Sequence, residues 1–260
     1  MKPSLIIFDI DETLYMNSES RIPENAVAAV QKLKEAGHML AIATGRAPFE
    51  IMDEIKQLPI DFYILANGQL VVRNDEIIYE SAIKFDTIKE LMADADIAGV
   101  YLGFNSATRT FLTGMTNEMH ESFAGYHLPM PEISRDIEND ESIHQIWYFS
   151  DDYTTIAEKY KGKLRFLPWL RNPGADILPI GVSKAVALEK MLEILDDSSY
   201  DKIVFFGDGM NDIELIEMVD IGIAMGNAVE PLKAVADFVT KNIEDDGVYH
   251  ACEQLGLFCL

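Results

Sequence analysis

Two carboxylates two residues apart, Asp9 and Asp11, follow directly on the short apolar run Leu5-Ile6-Ile7-Phe8. Such a run suits a strand buried on both faces. In an open α/β sheet, ligands bind outside the carboxyl ends of the strands, so the pair stands where a site belongs. Taken alone, two spaced aspartates equally suit a solvated loop or an Asp capping a following helix. A second acidic motif, Gly207-Asp208-Gly209-Met210-Asn211-Asp212, also comes straight after an apolar run. Its glycines let the backbone bend tightly or approach a ligand. Asp208 is of the type that coordinates a metal, while Asn211 and Asp212 open the next helix, where capping and support of a metal site are compatible. Thr44-Gly45-Arg46 ends another apolar run. A hydroxyl and backbone amides at a strand-to-helix turn are donors suited to a phosphoryl oxygen, although a Thr-Gly pair is more often a plain turn. Lys184 begins a helix after Gly181 and Ser183, where the helix dipole disfavours a cation. A charge kept at an unfavourable place points to a use.

These residues need a scaffold. Short buried strands alternate with helices at both ends of the chain. Leu5-Ile6-Ile7-Phe8 is followed by a helix from about Glu24, with Val27, Val30 and Leu33 at helical spacing beside Ala26 and Ala29, and with Gly37 at its end. Then come the strand Met39-Leu40-Ala41-Ile42-Ala43, a helix over 48–57 and a third strand, Phe62-Tyr63-Ile64-Leu65. The pattern resumes with a helix over 183–195, a strand over 202–206, a helix over 212–219, a strand over 221–225 and a closing helix over 248–255. Such alternation predicts a doubly wound, parallel α/β sheet. From about 77 to 180 the character changes. Hairpin-like strands are expected over 100–104, 110–113, 143–149, 164–170 and 175–178, with helices over 87–94 and 152–160 and an acidic loop over 133–142. The expected architecture is a Rossmann-like core split by an inserted α+β module.

Composition narrows the partners. The chain of 260 residues carries 44 Asp and Glu against 21 Lys and Arg, a formal net charge of -23. Most of this surface repels nucleic acid and anionic membranes, so neither is an expected partner. A small anionic substrate is also repelled at long range, and its site must be made locally positive. No stretch reaches transmembrane length and the start does not read as a signal peptide, so a cytoplasmic location is the expectation. Cys252 and Cys259 are expected as free thiols, and the five histidines have no metal-ligand spacing. Trp147 and Trp169 are expected in the core of the inserted module or at its contacts with the rest of the chain. The stretch 168–172, with Arg171, suits either an exposed turn or a face toward the site.

The four motifs, in this order, resemble the haloacid dehalogenase (HAD) superfamily, and best the Cof-type phosphatases with a C2B cap. Gly207-Asp208-Gly209-Met210-Asn211-Asp212 and Ala66-Asn67-Gly68 are the most specific parts of the likeness. It extends over nearly the whole chain. It implies a catalytic core over 1–80 and 184–260 and a substrate-selecting cap over 81–183. It implies Asp9 as a nucleophile that becomes an aspartyl phosphate, and Asp11 as general acid and then base. Thr44 would hold the transferring phosphoryl group, with Gly45, Arg46, Asn67, Gly68 and Asn211 around the phosphate, and Lys184 would cancel charge. Asp9, Asp208 and the backbone carbonyl of Asp11 would hold Mg2+, supported by Asp212. The substrate implied is a small phosphorylated metabolite, such as a sugar phosphate or a phosphorylated cofactor. Two positions depart from the family pattern, Glu12 and Ala185 standing where glycine is usual. A phosphomutase shares Asp9 and Asp11, but its usual helical insertion has no room between Asp11 and Thr44. A dehalogenase would not need Asp11 or Asp208, and a lapsed phosphometabolite sensor would not need every reacting group.

Overall fold

The computed structural model describes residues 3–125, 130–137, 141–169, 173–195 and 200–259. It divides into two compact units. The first holds Met1–Arg46, Ile51–Glu80 and Ser183–Leu260, and the second holds Ala47–Glu50 and Ser81–Val182.

The first unit is built on an eight-stranded sheet in the order β14-β13-β12-β1-β2-β3-β4-β5. The strands are β1 (Leu5–Phe8), β2 (Met39–Ala43), β3 (Phe62–Leu65), β4 (Leu70–Arg73), β5 (Glu76–Glu80), β12 (Ile203–Gly207), β13 (Ile221–Ala224) and β14 (Phe238–Val239). Pairing is parallel from β14 to β3. The β4–β5 hairpin adds an antiparallel edge, so the strand around Ile77 belongs to this sheet rather than to the inserted module. Every residue of β1 is buried, as a central strand with both faces covered requires.

The covering helices are α1 (Glu24–Glu35), α2 (Asp53–Lys56), α6 (Lys184–Ile194), α7 (Ile213–Met218), α8 (Glu230–Val235) and α9 (Gly247–Gln254). On α1 the buried residues are Ala26, Ala29, Val30 and Leu33. The buried stripe therefore runs through the alanines, and Val27 is only half-buried. The helix expected over 48–57 is broken. A 3-10 turn at Pro48–Glu50 is separated from α2 by Met52, whose extended backbone (φ -66°, ψ 148°) cannot continue a helix.

The second unit is a six-stranded sheet in the order β10-β11-β9-β6-β7-β8. Its strands are β6 (Leu102–Ser106), β7 (Thr110–Leu112), β8 (Glu132–Ile133), β9 (Ile143–Tyr148), β10 (Leu164–Pro168) and β11 (Ala175–Pro179), with helices α3 (Phe85–Ala98), α4 (Asn117–Gly125) and α5 (Thr154–Lys159). One face carries Phe104, Ile146 and Tyr148 into a core shared with Leu91 of α3 and Ile156 of α5. Residues 170–172, with Arg171, lie outside the described residues, as does His127. Cys252 and Cys259 are free. Trp147 packs with Phe123 and Phe149, and Trp169 meets Phe149 edge-on. No helix among the described residues is long and apolar enough to cross a membrane.

Buried His38 links distant parts of the first unit. The Ser4 N–H donates to its Nδ1 at 2.9 Å, and its Nε2 lies 2.7 Å from the carbonyl of Leu257. Since Nδ1 accepts, Nε2 must carry the proton and donate. His38→Leu leaves a buried N–H and a buried carbonyl unpaired. The expected loss of stability in urea denaturation is about 2–6 kcal/mol, from about 1–3 kcal/mol per orphaned group. A loss below about 0.5 kcal/mol, the range of ordinary surface substitutions, would refute the link.

Candidate active site

Three strand ends of the first sheet bring the motifs together. Asp9 follows β1, and its N–H donates to the carbonyl of Phe206 on β12. Thr44 follows β2, fully buried, with its N–H on the carbonyl of Ile64. Asp208 follows β12 directly. Parallel neighbours end level with one another, so three motifs far apart in sequence meet along one sheet edge.

Lys184 lies at the centre of the cluster. Its Nζ donates to Asp9 Oδ1 at 2.7 Å and to Asp212 Oδ1 at 2.6 Å, and the residue is 1% exposed. Burial alone would favour the neutral amine, but Asp212 and Asp9 outweigh it and hold the ammonium well above its ordinary pKa. Ser183 caps the helix, its hydroxyl accepting from the N–H of Val186 at 3.3 Å. The unfavourable first-turn position of the lysine is thus offset by two carboxylates.

Asp212 has little capacity left for a metal. Its Oδ2 accepts the N–H groups of Asp208 (3.0 Å) and Gly209 (2.9 Å), while Oδ1 takes Lys184. It shapes the turn and orients the lysine. Asp9, Asp208 and Asp212 each offer an oxygen within 4.8 Å of the others. Burial, together with Asp9, Asp212 and Asp11, pushes Asp208 up to about 9 against the weaker pull of Lys184. Burial raises Asp9 to about 7, with Lys184 pulling the other way. One lysine does not neutralise three carboxylates. An all-oxygen, charge-excess cluster fits a hard divalent cation such as Mg2+.

A left-handed turn positions the rest. Ala66, Asn67 and Gly68 all have positive φ (49°, 54° and 97°). The turn directs the N–H groups of Ala66 and Asn67 to the carbonyls of Arg46 and Thr44. A Cβ at Gly68 would run into the carbonyl of Ser183, immediately before Lys184. Asn211 Nδ2 donates to Asn67 Oδ1 at 2.9 Å, and Asn67 also packs where a Cβ on Gly45 would sit. Asn67, Gly68 and Asn211 therefore brace the loop of Thr44 and Gly45 and the start of α6. Arg46 grips Asp11 with two hydrogen bonds, Nε to Oδ2 at 3.0 Å and Nη2 to Oδ1 at 2.7 Å. Local sequence does not signal Asn227, whose amide donates to the carbonyl of Glu12 at 2.8 Å and whose Oδ1 accepts from the N–H of Ile243. Its partner lies 215 residues away.

The two departures from the glycine pattern differ. Ala185 is accommodated in the buried side of α6. Glu12 takes the left-handed conformation itself, at φ 57°, so the loop keeps the shape that glycine would give it at a steric cost.

Comparison with known proteins agrees with the fold. The pattern of haloacid dehalogenase-like hydrolases matches residues 6–252. The Bacillus subtilis protein YkrA is 35% identical, covering 99% of both chains. The Escherichia coli pyridoxal phosphate phosphatase YbhA is 26% identical, over 95% of this chain and 97% of its own. The solved structure of the HAD subclass IIB sugar phosphatase BT4131 superposes with a TM-score of 0.85 at 28% identity, covering 98% of this chain and 99% of that one. The chain belongs to the haloacid dehalogenase-like hydrolases. Within them it is a phosphoric monoester hydrolase.

Glu12→Gly is expected to stabilise the protein by about 1 kcal/mol, since the left-handed conformation costs a residue with a Cβ about 1–2 kcal/mol and glycine's extra chain entropy returns part of that. Thermal unfolding measures it, and a lowered Tm would show that the Glu12 side chain contributes more than the strain removes.

Proposed function

We propose that the chain is a Mg2+-dependent phosphatase of small phosphorylated metabolites that works through an aspartyl phosphate on Asp9. The buried triad of Asp9, Lys184 and Asp212 carries this reading. A carboxylate cannot approach a phosphate dianion unless charge is cancelled, and phosphoryl transfer depends mainly on positioning and electrostatic stabilisation. The names of YbhA and BT4131 as phosphatases of pyridoxal phosphate and of sugars support the substrate class. Asp9 and Asp208, with the backbone carbonyl of Asp11, are the groups suited to hold Mg2+. The ion would neutralise charge between nucleophile and phosphate.

Asp9 attacks phosphorus through its carboxylate oxygen, forming an acyl phosphate as the bond to the leaving oxygen breaks. Asp11 gives its proton to that oxygen. In the second step Asp11 takes a proton from water, whose oxygen attacks phosphorus and releases inorganic phosphate from Asp9. Thr44 and the backbone amides beside it hold the phosphoryl oxygens, and Lys184 stays paired with Asp9. Arg46 occupies both oxygens of Asp11, so proton donation requires that pair to open. We assign choice of the leaving group to the module over 81–183, as a C2B-type cap.

Asp9→Asn is expected to abolish phosphate release while the thermal transition is retained, since it removes the nucleophile. Near-normal turnover in that variant would overturn the mechanism. A second expectation follows from charge. An unfolded Asp titrates near about 3.9, whereas Asp9 and Asp208 stand at about 7 and about 9 in the metal-free fold. Groups with raised folded values bind extra protons in the native state, so their cost to stability grows as pH rises from about 4 toward 9. Mg2+ must displace those protons. The rise in Tm caused by Mg2+ is therefore expected to be larger at about pH 8.5 than at about pH 6, and a shift that shrinks with rising pH would place the metal elsewhere.

A further inference from the structure

Both backbone polar groups of Glu12 are held. Its N–H donates to the carbonyl of Tyr15 at 2.9 Å, and its carbonyl accepts the side-chain amide of Asn227 at 2.8 Å. A trans peptide is planar, with its N–H and its carbonyl pointing opposite ways. The Asp11 carbonyl shares a peptide plane with the Glu12 N–H, so fixing the one directs the other, away from Tyr15. The bond from Asn227 sets the peptide on the other side of Glu12. Between them the two bonds hold Glu12 at φ 57°, a conformation that persists only where its surroundings over-determine it.

Asn227 is exposed, yet its amide is fully specified. Its Nδ2 donates to Glu12, and its Oδ1 accepts the N–H of Ile243 at 2.9 Å. An acceptor on one side and a donor on the other leave one orientation for the amide. The residue sits in a turn closed by the N–H of Ala228 on the carbonyl of Met225 at 2.9 Å. That turn is pressed against the segment beyond β14. The N–H of Gly226 donates to the carbonyl of Lys241 at 2.9 Å, and a Cβ on Gly226 would come within 2.5 Å of Asn242 Oδ1 and 2.6 Å of its backbone nitrogen. At the start of the turn the N–H of Met225 donates to the carbonyl of Gly207 at 3.0 Å, and just past it the N–H of Val229 donates to the carbonyl of Asp208 at 2.9 Å. One short segment after β13 thus holds both acidic loops, the first through the Asn227 side chain and the second through its own backbone.

We propose that Asn227 is a positioning residue for the metal site, which fixes the Asp11 carbonyl relative to Asp208 and so favours Mg2+ over larger divalent cations. This rests on the reading of Asp9, Asp208 and the Asp11 carbonyl as the Mg2+ ligands. Mg2+ requires near-octahedral oxygens at about 2.0–2.1 Å, whereas Ca2+ accepts about six to eight oxygens at about 2.3–2.6 Å in flexible arrangements. A loop free to rock about Glu12 spoils the tighter, stricter site first. Asn227 acts only through the Glu12 peptide.

The test is calorimetric titration of the full, metal-free chain with MgCl2 and with CaCl2, for wild type, Asn227→Ala and Thr240→Val. The hydroxyl of Thr240 donates to the carbonyl of Gly247 at 2.7 Å, so Thr240→Val loosens the same corner of the fold without touching Glu12. Asn227→Ala is expected to raise the Kd for Mg2+ about tenfold, the low end for removing a group that orients a metal ligand, and to raise the Kd for Ca2+ by less. Thr240→Val is expected to lower Tm and leave the ratio of the two Kd values as in wild type. A Kd for Mg2+ within about twofold of wild type in Asn227→Ala, short of that effect, overturns the proposal. So does equal weakening of both ions, or a ratio that Thr240→Val shifts as far. If Asn227→Ala does not fold, Asn227→Asp keeps the acceptor for Ile243 and removes the donor to Glu12. Its added charge attracts both ions, so the ratio is read: a shift toward Ca2+ supports the proposal and an unchanged ratio overturns it. Wild type that binds no Mg2+ overturns the ligand reading and this proposal with it, an outcome distinct from wild-type binding that Asn227→Ala leaves intact.

Discussion

The buried ammonium of Lys184 between two aspartates constrains everything around it. A lone charge taken out of water costs several kcal/mol, and removing one partner of a buried ion pair typically costs about 3–5 kcal/mol. The lysine can be buried only because Asp9 and Asp212 reach it from two different strand ends, β1 and β12. Those strands must pair in parallel and in register for both carboxylates to arrive, as Phe8 opposite Phe206 does one residue before Asp9. The sheet order, the helix start at Ser183 and the turn after β12 are therefore tied to one electrostatic requirement.

Backbone shape enforces the same requirement at short range. The Asp208 turn is folded against Asp212, leaving so little room at Gly207 that a Cβ would lie 2.7 Å from Asp212 Oδ2. The left-handed turn at Ala66–Gly68 clamps the Thr44 loop through its N–H groups while Gly68 presses on the backbone before Lys184. Conformations of this kind persist where surrounding contacts over-determine them. Here they hold donors and carboxylates in place ahead of any ligand, so that little reorganisation is needed when charge shifts.

The parallel sheet and the clustering of its acidic motifs were legible because both leave local marks. Fully apolar strands such as Leu5-Ile6-Ile7-Phe8 and the polar residues ending them occupy contiguous sequence. The helix over 48–57 was misread because its residues are acceptable helix formers and only the conformation of Met52 interrupts them. The buried stripe of α1 was shifted because alanines packed against a sheet are buried as fully as valine and carry a weaker pattern signal. The β4–β5 hairpin left no separate mark, since the change of character at about 77 falls inside β5 and a period-2 pattern does not say which edge a strand will join. Asn227 bracing Glu12, and the pairing of Asn211 with Asn67, join residues 215 and 144 positions apart. Such partnerships have no sequence signature short of the fold itself.

The strong acidity of the chain and its affinity for an anion are compatible because they act over different distances. At physiological ionic strength the Debye length is about 8 Å, so most of the net charge of -23 is screened from a ligand at the sheet edge. Within the edge the balance is set by a few groups at contact distance, where a pair of charges about 4 Å apart interacts by roughly 4 kcal/mol near a protein surface. Asp9, Asp208 and Asp212 against Lys184 leave that balance negative. The same imbalance that raises Asp208 would repel a phosphate, so a cation that relieved the carboxylates would also make the edge attractive to an anion.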